Sequence, residues 1–266
     1  MPLTRVITAA VLVAALLAAL FLLPRSWFQG VVALIVLAAG FEWGRLGGLG
    51  SKAAALGYGA ACAIACLAAL HWPALGSFLF WTAALFWVLV APLWLARGLL
   101  PGPRGLVLMG GAIVLVPAGA AMGLLAAHQL LWLVGVSVIA DTAAYFSGRA
   151  FGRRKLAPEI SPGKTWEGVA GGVVACTFYA IILTMFDPGL EARVTGVMWG
   201  PFLAAAMLLC ALSVLGDLCE SALKRRAGAK DSGTLLPGHG GVLDRVDSAT
   251  AVLPVGALLL SLIGLA

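Results

Sequence analysis

The chain has 266 residues, of which 62% are hydrophobic and only 11% charged, with a formal net charge of +6. Soluble domains average about 25% charged residues, so this composition excludes a water-soluble globular enzyme, a disordered tail, a coiled coil and a disulfide scaffold. The apolar runs are long and continuous rather than alternating, which disfavours a β-barrel and leaves an all-α polytopic integral membrane protein.

A membrane-spanning helix needs about 20 apolar residues. In chain order, such runs fall at 6–23, 28–46, 53–71, 77–96, 105–127, 130–148, 168–186, 198–220 and 242–265, which predicts about nine spans. The first follows a single charge, Arg5, and is long for the apolar core of a signal peptide, so it reads as a retained span. The fifth and sixth meet near His128 almost without a loop. Cys62, Cys66, Cys176, Cys210 and Cys219 all lie in apolar stretches and read as small core residues. Residues 1–104 read as N-terminal membrane helices. Residues 105–266 read as a second membrane region, with polar loops at 149–167 and 221–243.

With nine spans, the amino terminus and every second loop share one face. That face receives 15 of the 17 Lys and Arg residues, and only Arg25 and Arg193 fall on the other. The bias predicts a cytoplasmic amino terminus and cytoplasmic basic loops. For Arg5, Arg45, Lys52, Arg97 and Arg104, orientation alone accounts for the charge.

Carboxylates are more telling, because an Asp at the centre of a span costs about 2.5–3.5 kcal/mol on insertion scales. Asp141 falls inside the sixth span, roughly 10 Å from its inner end at 1.5 Å per residue. Asp217, Glu220 and Ser221 end the eighth span on one helix face, and Asp244, Asp247 and Ser248 repeat that spacing at the start of the ninth. Two acidic faces at one depth suit a divalent cation with oxygen ligands from Asp217, Asp244 and Asp247. The alternative is internal salt bridging of Asp244 or Asp247 with Arg245 or Arg226. Glu42, near the inner end of the second span, reads as a structural partner of Arg45. Glu167 opens the seventh span, where the helix dipole favours it.

The loop after the sixth span carries Arg149, Arg153, Arg154, Lys155 and Lys164 with the hydroxyls of Ser161 and Thr165. This set suits phosphate oxygens, and anionic lipid headgroups are the alternative. Gly163-Lys164-Thr165 is not a P-loop, because the required earlier glycine is Pro158 and no strand is predicted before it. The later loop brings Lys224, Arg225, Arg226 and Lys230 before a turn, Pro237-Gly238-His239-Gly240-Gly241, that permits close ligand approach.

The later loop resembles the signature of the phosphatidate cytidylyltransferases, the CDP-diacylglycerol synthases. It contains Ser221-x-x-Lys224-Arg225, Lys230-Asp231-x-Gly233, Pro237-Gly238-His239-Gly240-Gly241 and Asp244-Arg245-x-Asp247. The segments Asp141 to Arg149, Ser161 to Gly168 and Gly216 to Ser221 are similar to the same family, with Ala143 where many relatives have glycine. The likeness covers residues from about 130 to 250; earlier residues match only as apolar spans.

The resemblance implies transfer of a cytidylyl group from CTP to phosphatidate, giving CDP-diacylglycerol and pyrophosphate for phospholipid synthesis. It further implies Mg²⁺, a possible second monovalent cation such as K⁺, a homodimer, and residence in the bacterial cytoplasmic (inner) membrane with the site on the cytoplasmic side. No nucleic-acid partner is expected. In that chemistry Asp217 and Asp244 hold the metal, with Asp247 and Asp141 as further ligands, direct or through water. Lys224, Arg225, Lys230 and Arg245 neutralise the triphosphate. Arg149 and Lys164 hold the lipid phosphate or the nucleotide, His239 contacts a phosphate, and Ser161 and Ser221 serve as hydrogen-bond donors. A CTP-using lipid kinase, an ion transporter and a non-catalytic lipid-binding scaffold are the rival readings.

Overall fold

The computed structural model describes residues 2–97, 102–236, 238 and 240–265. It is a helical bundle of α1 (Pro2–Leu22), α2 (Arg25–Leu46), α3 (Lys52–His71), α4 (Pro73–Leu85), α5 (Ala91–Ala96), α6 (Arg104–Leu124), α7 (Ala127–Phe151), α8 (Trp166–Phe186), the short α9 (Pro188–Arg193), α10 (Trp199–Arg226) and α11 (Leu243–Leu262). Among the described residues, eight helical segments are long and apolar enough to cross a bilayer. The first predicted span falls on α1, whose described apolar stretch, Val13–Leu22, is shorter.

The fourth span is one helix with a π turn, Phe86–Val90, between α4 and α5. Pro92 follows it and has no N–H to return to the preceding turn. The ladder slips, and the Ala91 N–H reaches back to Phe86 O.

The inside of the bundle is apolar and close-packed. Val32 and Val36 of α2, Cys66 of α3, Val114 and Leu115 of α6, and Val252 and Leu253 of α11 belong to one buried cluster. Polar tips lock the helices in register: the Trp43 indole N–H donates to Val107 O at 2.9 Å, and the Tyr58 hydroxyl to Leu108 O at 2.6 Å. All five cysteines are buried and unbridged, as their apolar setting predicts. The outside is apolar too, with Trp27, Phe78, Trp81, Phe146, Phe178 and Phe186 exposed. On a soluble protein such a surface would be a liability; against lipid it is the expected one.

Two boundaries differ from the sequence reading. The loop after α7 is not irregular: β1 (Lys155–Ala157) and β2 (Ser161–Thr165) pair antiparallel, with Lys155 opposite Thr165 and Ala157 opposite Ser161. Side chains at the start of α8 and the end of β2 fasten this segment in place. Thr165 Oγ1 accepts the Gly168 N–H at 3.1 Å, and the Glu167 carboxylate accepts the backbone N–H groups of Arg153 and Arg154. In addition, α10 runs on to Arg226, so Lys224, Arg225 and Arg226 sit in its last turn rather than in a loop. Cations there complement the negative end of the helix dipole.

Candidate active site

The site lies where the C-terminal ends of α2, α7 and α10 meet the N-terminal end of α11. Close approach of α10 and α11 sets it up. A Cβ at Gly216 would lie 2.6 Å from Asp247 O, so only glycine lets the two backbones come this near. The neighbouring side chains then converge: Asp217, Glu220 and Asp247 each offer an oxygen within 4.8 Å of the other two.

This trio differs from the expected one. Glu220 stands where Asp244 was expected, because Asp244 is engaged elsewhere. Its Oδ2 accepts the N–H groups of Ser232 (2.9 Å) and Gly241 (2.8 Å), with the Ser232 hydroxyl also 2.9 Å away. Its Oδ1 pairs with Lys224 Nζ at 2.7 Å. Lys224 Nζ also lies 2.7 Å from Glu220 Oε2. Lys224, expected beside the triphosphate, thus bridges two carboxylates in this structure. Ion pairs do form inside this acidic end, and they include Lys224–Glu220, Lys224–Asp244 and Lys164–Asp217.

The donor set fits a hard divalent cation. Glu220 is 2% exposed, and its Oε1 has no hydrogen-bond partner among the described residues. A buried acceptor left unpaired costs about 1–3 kcal/mol, more when charged. Three carboxylates held this close also repel one another, with Lys164 and Lys224 among the cations near them. A bound metal would relieve both costs, and all-oxygen ligation is what Mg²⁺ prefers.

Beside the trio opens a cavity of about 480 Å³, lined by Asp141, Tyr145, Arg149, Ser161, Lys164 and Asp217 with small residues between them. Five of these six are residues the sequence singled out, drawn from α7, β2 and α10. Lys164, on β2, reaches into it and pairs with Asp217 Oδ2 at 2.6 Å. Arg149 lies 3.5 Å from the Tyr145 hydroxyl. Asp141 faces the cavity and accepts from the Ser248 hydroxyl of α11 at 3.2 Å. It lies ten residues before the end of α7, about 15 Å rather than 10 Å, because the helix continues to Phe151. Ser221 does not line the cavity; its hydroxyl donates to Asp217 Oδ1 at 3.1 Å.

Arg225 donates to Ile160 O and Ala229 O, tying the end of α10 to the hairpin. Lys230 is exposed. Arg245 is exposed in the first turn of α11 and has a partner of its own. Pro237 and His239 lie outside the described residues. Around them, Gly238 and Gly240 take positive φ values of 76° and 77°, and Leu236 N–H bonds to Gly240 O, so the glycines do form the tight turn their spacing predicts.

Two functional placements were not foreseen. Tyr145 presents its hydroxyl beside Arg149; it lay within a recognised segment, but an aromatic in a membrane helix gave no chemical signal. Glu42 does not behave as a local partner of Arg45. It is 1% exposed and accepts from Ser232 Oγ, Val242 N and Leu243 N, all distant in sequence. Nothing local to residue 42 announces that contact.

The chain matches the model of the cytidylyltransferase family over residues 3–263. It is 39% identical over 267 aligned residues to a phosphatidate cytidylyltransferase of Pseudomonas aeruginosa, covering 96% of each protein. It is 50% identical over 133 residues to the phosphatidate cytidylyltransferase of Haemophilus influenzae (48% of this chain, 44% of the relative). With that of Bacillus subtilis it shares 46% over 125 residues (46% of this chain, 43% of the relative). The family match runs from α1 to α11 and takes in every residue of the site just described, and the chain therefore belongs to the cytidylyltransferase family.

Proposed function

We propose that this integral membrane protein transfers the cytidylyl group of CTP to phosphatidate, giving CDP-diacylglycerol and pyrophosphate. The observation that carries the reading is the meeting of Asp141, Arg149, Ser161, Lys164 and Asp217 around one cavity beside the carboxylate trio. In the reaction a phosphate oxygen of phosphatidate attacks the α-phosphorus of CTP. A P–O bond forms there, the bond to the β-phosphate bridge breaks, and its electron pair leaves on pyrophosphate. The nucleophile is already anionic, so no strong base is required. Repulsion between two phosphates is the obstacle, and positioning with charge neutralisation is the remedy.

Arg149 and Lys164, at the cavity, hold the lipid phosphate. Arg225, Lys230 and Arg245, around the adjoining loop, face the triphosphate. Asp217, Glu220 and Asp247 would hold Mg²⁺, which supplies Lewis-acid neutralisation of phosphate charge when bound. Asp244 and Lys224 keep that acidic end in shape. The family resemblance adds a monovalent cation such as K⁺ and a homodimer. The positive-inside charge distribution supports a site on the cytoplasmic side of a bacterial inner membrane. There CTP arrives from the cytosol while the acyl chains stay in lipid.

The test is an assay of the purified protein in lipid nanodiscs with phosphatidate, Mg²⁺ and CTP labelled on the γ-phosphate. Label is expected in pyrophosphate, with CDP-diacylglycerol formed in equal amount. Label on the lipid would make the protein a lipid kinase, and no release of label would end the proposal.

A further inference from the structure

The N-terminal helices look like passive membrane filler by sequence, yet one of them reaches the polar loop between α10 and α11. We infer that Glu42 of α2 is a positioning residue that holds this loop in place for the nucleotide. The inference rests on the cytidylyl-transfer reading only for what the loop contacts.

The geometry is that of a cap supplied by another helix. The first amides of α11 have no intrahelical acceptor, and its own N-cap, Val242, has no side chain able to accept. Glu42 fills that place: Oε1 accepts Val242 N–H at 3.0 Å and Oε2 accepts Leu243 N–H at 2.8 Å. A carboxylate here also meets the positive end of the α11 dipole. The same Oε2 lies 2.9 Å from Ser232 Oγ, at the far side of the loop. Loop backbone closes over it so tightly that a Cβ at Gly241 would strike both the Glu42 carboxylate and Ser232 Oγ.

Ser232 passes the contact on. Its Oγ is 2.9 Å from Asp244 Oδ2 as well as from Glu42, so one hydroxyl proton serves two carboxylates. Asp244 then holds Lys224, and Lys224 holds Glu220 of the trio. A continuous polar chain thus runs from α2 through the loop to the acidic end of α10. Every member is buried or half-buried, so each bond forms away from bulk water, where a lost partner is costly.

The experiment uses the full chain in nanodiscs, comparing wild type, Glu42→Gln and Ser232→Ala by amide hydrogen exchange and steady-state kinetics. The amide in Glu42→Gln keeps the size of the carboxylate but accepts through one oxygen only. In this variant, exchange across 230–243 should speed up about tenfold, with α2 and α6 unchanged. KM for CTP should rise about tenfold while KM for phosphatidate stays within about twofold. Ser232→Ala should speed exchange at 230–233 and spare Val242 and Leu243. Unchanged loop exchange in Glu42→Gln would overturn the inference. So would faster exchange throughout α2 and α6, which marks a general stability residue, or faster loop exchange with an unmoved KM for CTP. Should wild type turn over no CTP at all, the cytidylyl-transfer reading falls, and the exchange measurement still decides whether Glu42 holds the loop.

Discussion

The acidic ends of α10 and α11 carry the same pattern, two carboxylates three residues apart followed by serine, and the structure uses them differently. On α10 both Asp217 and Glu220 face the shared gap. On α11 only Asp247 does, while Asp244 turns to the loop and accepts from Ser232 N–H and Gly241 N–H. The difference follows from chain direction. Asp217 and Glu220 lie inside α10, more than a turn before its end at Arg226, where the backbone N–H groups are already bonded within the helix and none competes for a carboxylate. Asp244 sits in the first turn of a helix, beside amides that need an acceptor. Equal spacing therefore gives equal faces, and the polarity of the backbone decides which carboxylate remains available to a ligand.

The largest predicted effects separate those two roles. Asp217→Ala or Asp247→Ala removes a member of the trio and should lower kcat by about 10³-fold or more, as loss of a preorganised charged group does. Mn²⁺ binding, followed by electron paramagnetic resonance in nanodiscs, should be lost with it. Asp244→Asn keeps one oxygen acceptor for the loop. It should lower kcat/KM by about 10–100-fold while leaving Mn²⁺ affinity within about threefold. Equal loss of Mn²⁺ in both classes of variant would erase the distinction between the two helices.

Lys164 tests the same contrast from the cation side. It comes from the hairpin to Asp217 at 2.6 Å and is 22% exposed, whereas Lys224 is 13% exposed and held by two carboxylates. Lys164→Ala should cost about 10²-fold in kcat/KM, carried by phosphatidate, with the thermal midpoint nearly unchanged. Lys224→Ala leaves Glu220 and Asp244 without their shared counter-ion. Breaking a buried pair typically costs about 3–5 kcal/mol, so this variant should unfold well below wild type in a detergent melting assay.

Close approach of the two helices is the next target. Gly216→Ala would place a methyl against Asp247 O, a backbone atom that cannot move alone. Overpacking of this kind costs about 1–3 kcal/mol, so a lowered melting temperature is expected. A lost share of Mn²⁺ sites should accompany it, because separating the backbones also separates Asp217 from Asp247.

Much of this was legible in sequence because membrane helices leave strong marks. Apolar runs mark the spans, and each predicted span falls on a helix. Asp141 and Asp217 stood out because charge at membrane depth is costly, Lys164 because its basic loop suits phosphate oxygens, and the structure brings all three to one cavity. Legibility ended where the contact was long-range or the backbone decided. The Glu42 carboxylate meets residues 190 to 201 positions away. The choice of Glu220 over Asp244 depends on which amides lie nearby. The hairpin at 155–165 was hidden because its strands, of three and five residues, are too short for alternation to register.

The smallest predicted effects concern the two serines that follow the carboxylates. Ser221 donates back along its own helix to Asp217 Oδ1 at 3.1 Å, whereas Ser248 donates across to Asp141 Oδ2 on α7 at 3.2 Å. Each is a neutral donor to a carboxylate, worth about 1.5–3 kcal/mol at most. Ser221→Ala leaves Asp217 still paired with Lys164, so its kcat should fall only about threefold to tenfold. The two losses should differ in kind. Ser221→Ala frees the orientation of a trio member and should raise the Mg²⁺ concentration needed for half-maximal rate. Ser248→Ala releases Asp141 at the cavity wall and should leave that concentration unchanged while raising KM for a substrate. If both serines shifted the Mg²⁺ requirement alike, Asp141 would belong with the metal-holding carboxylates, and the division between trio and cavity wall would have to be redrawn.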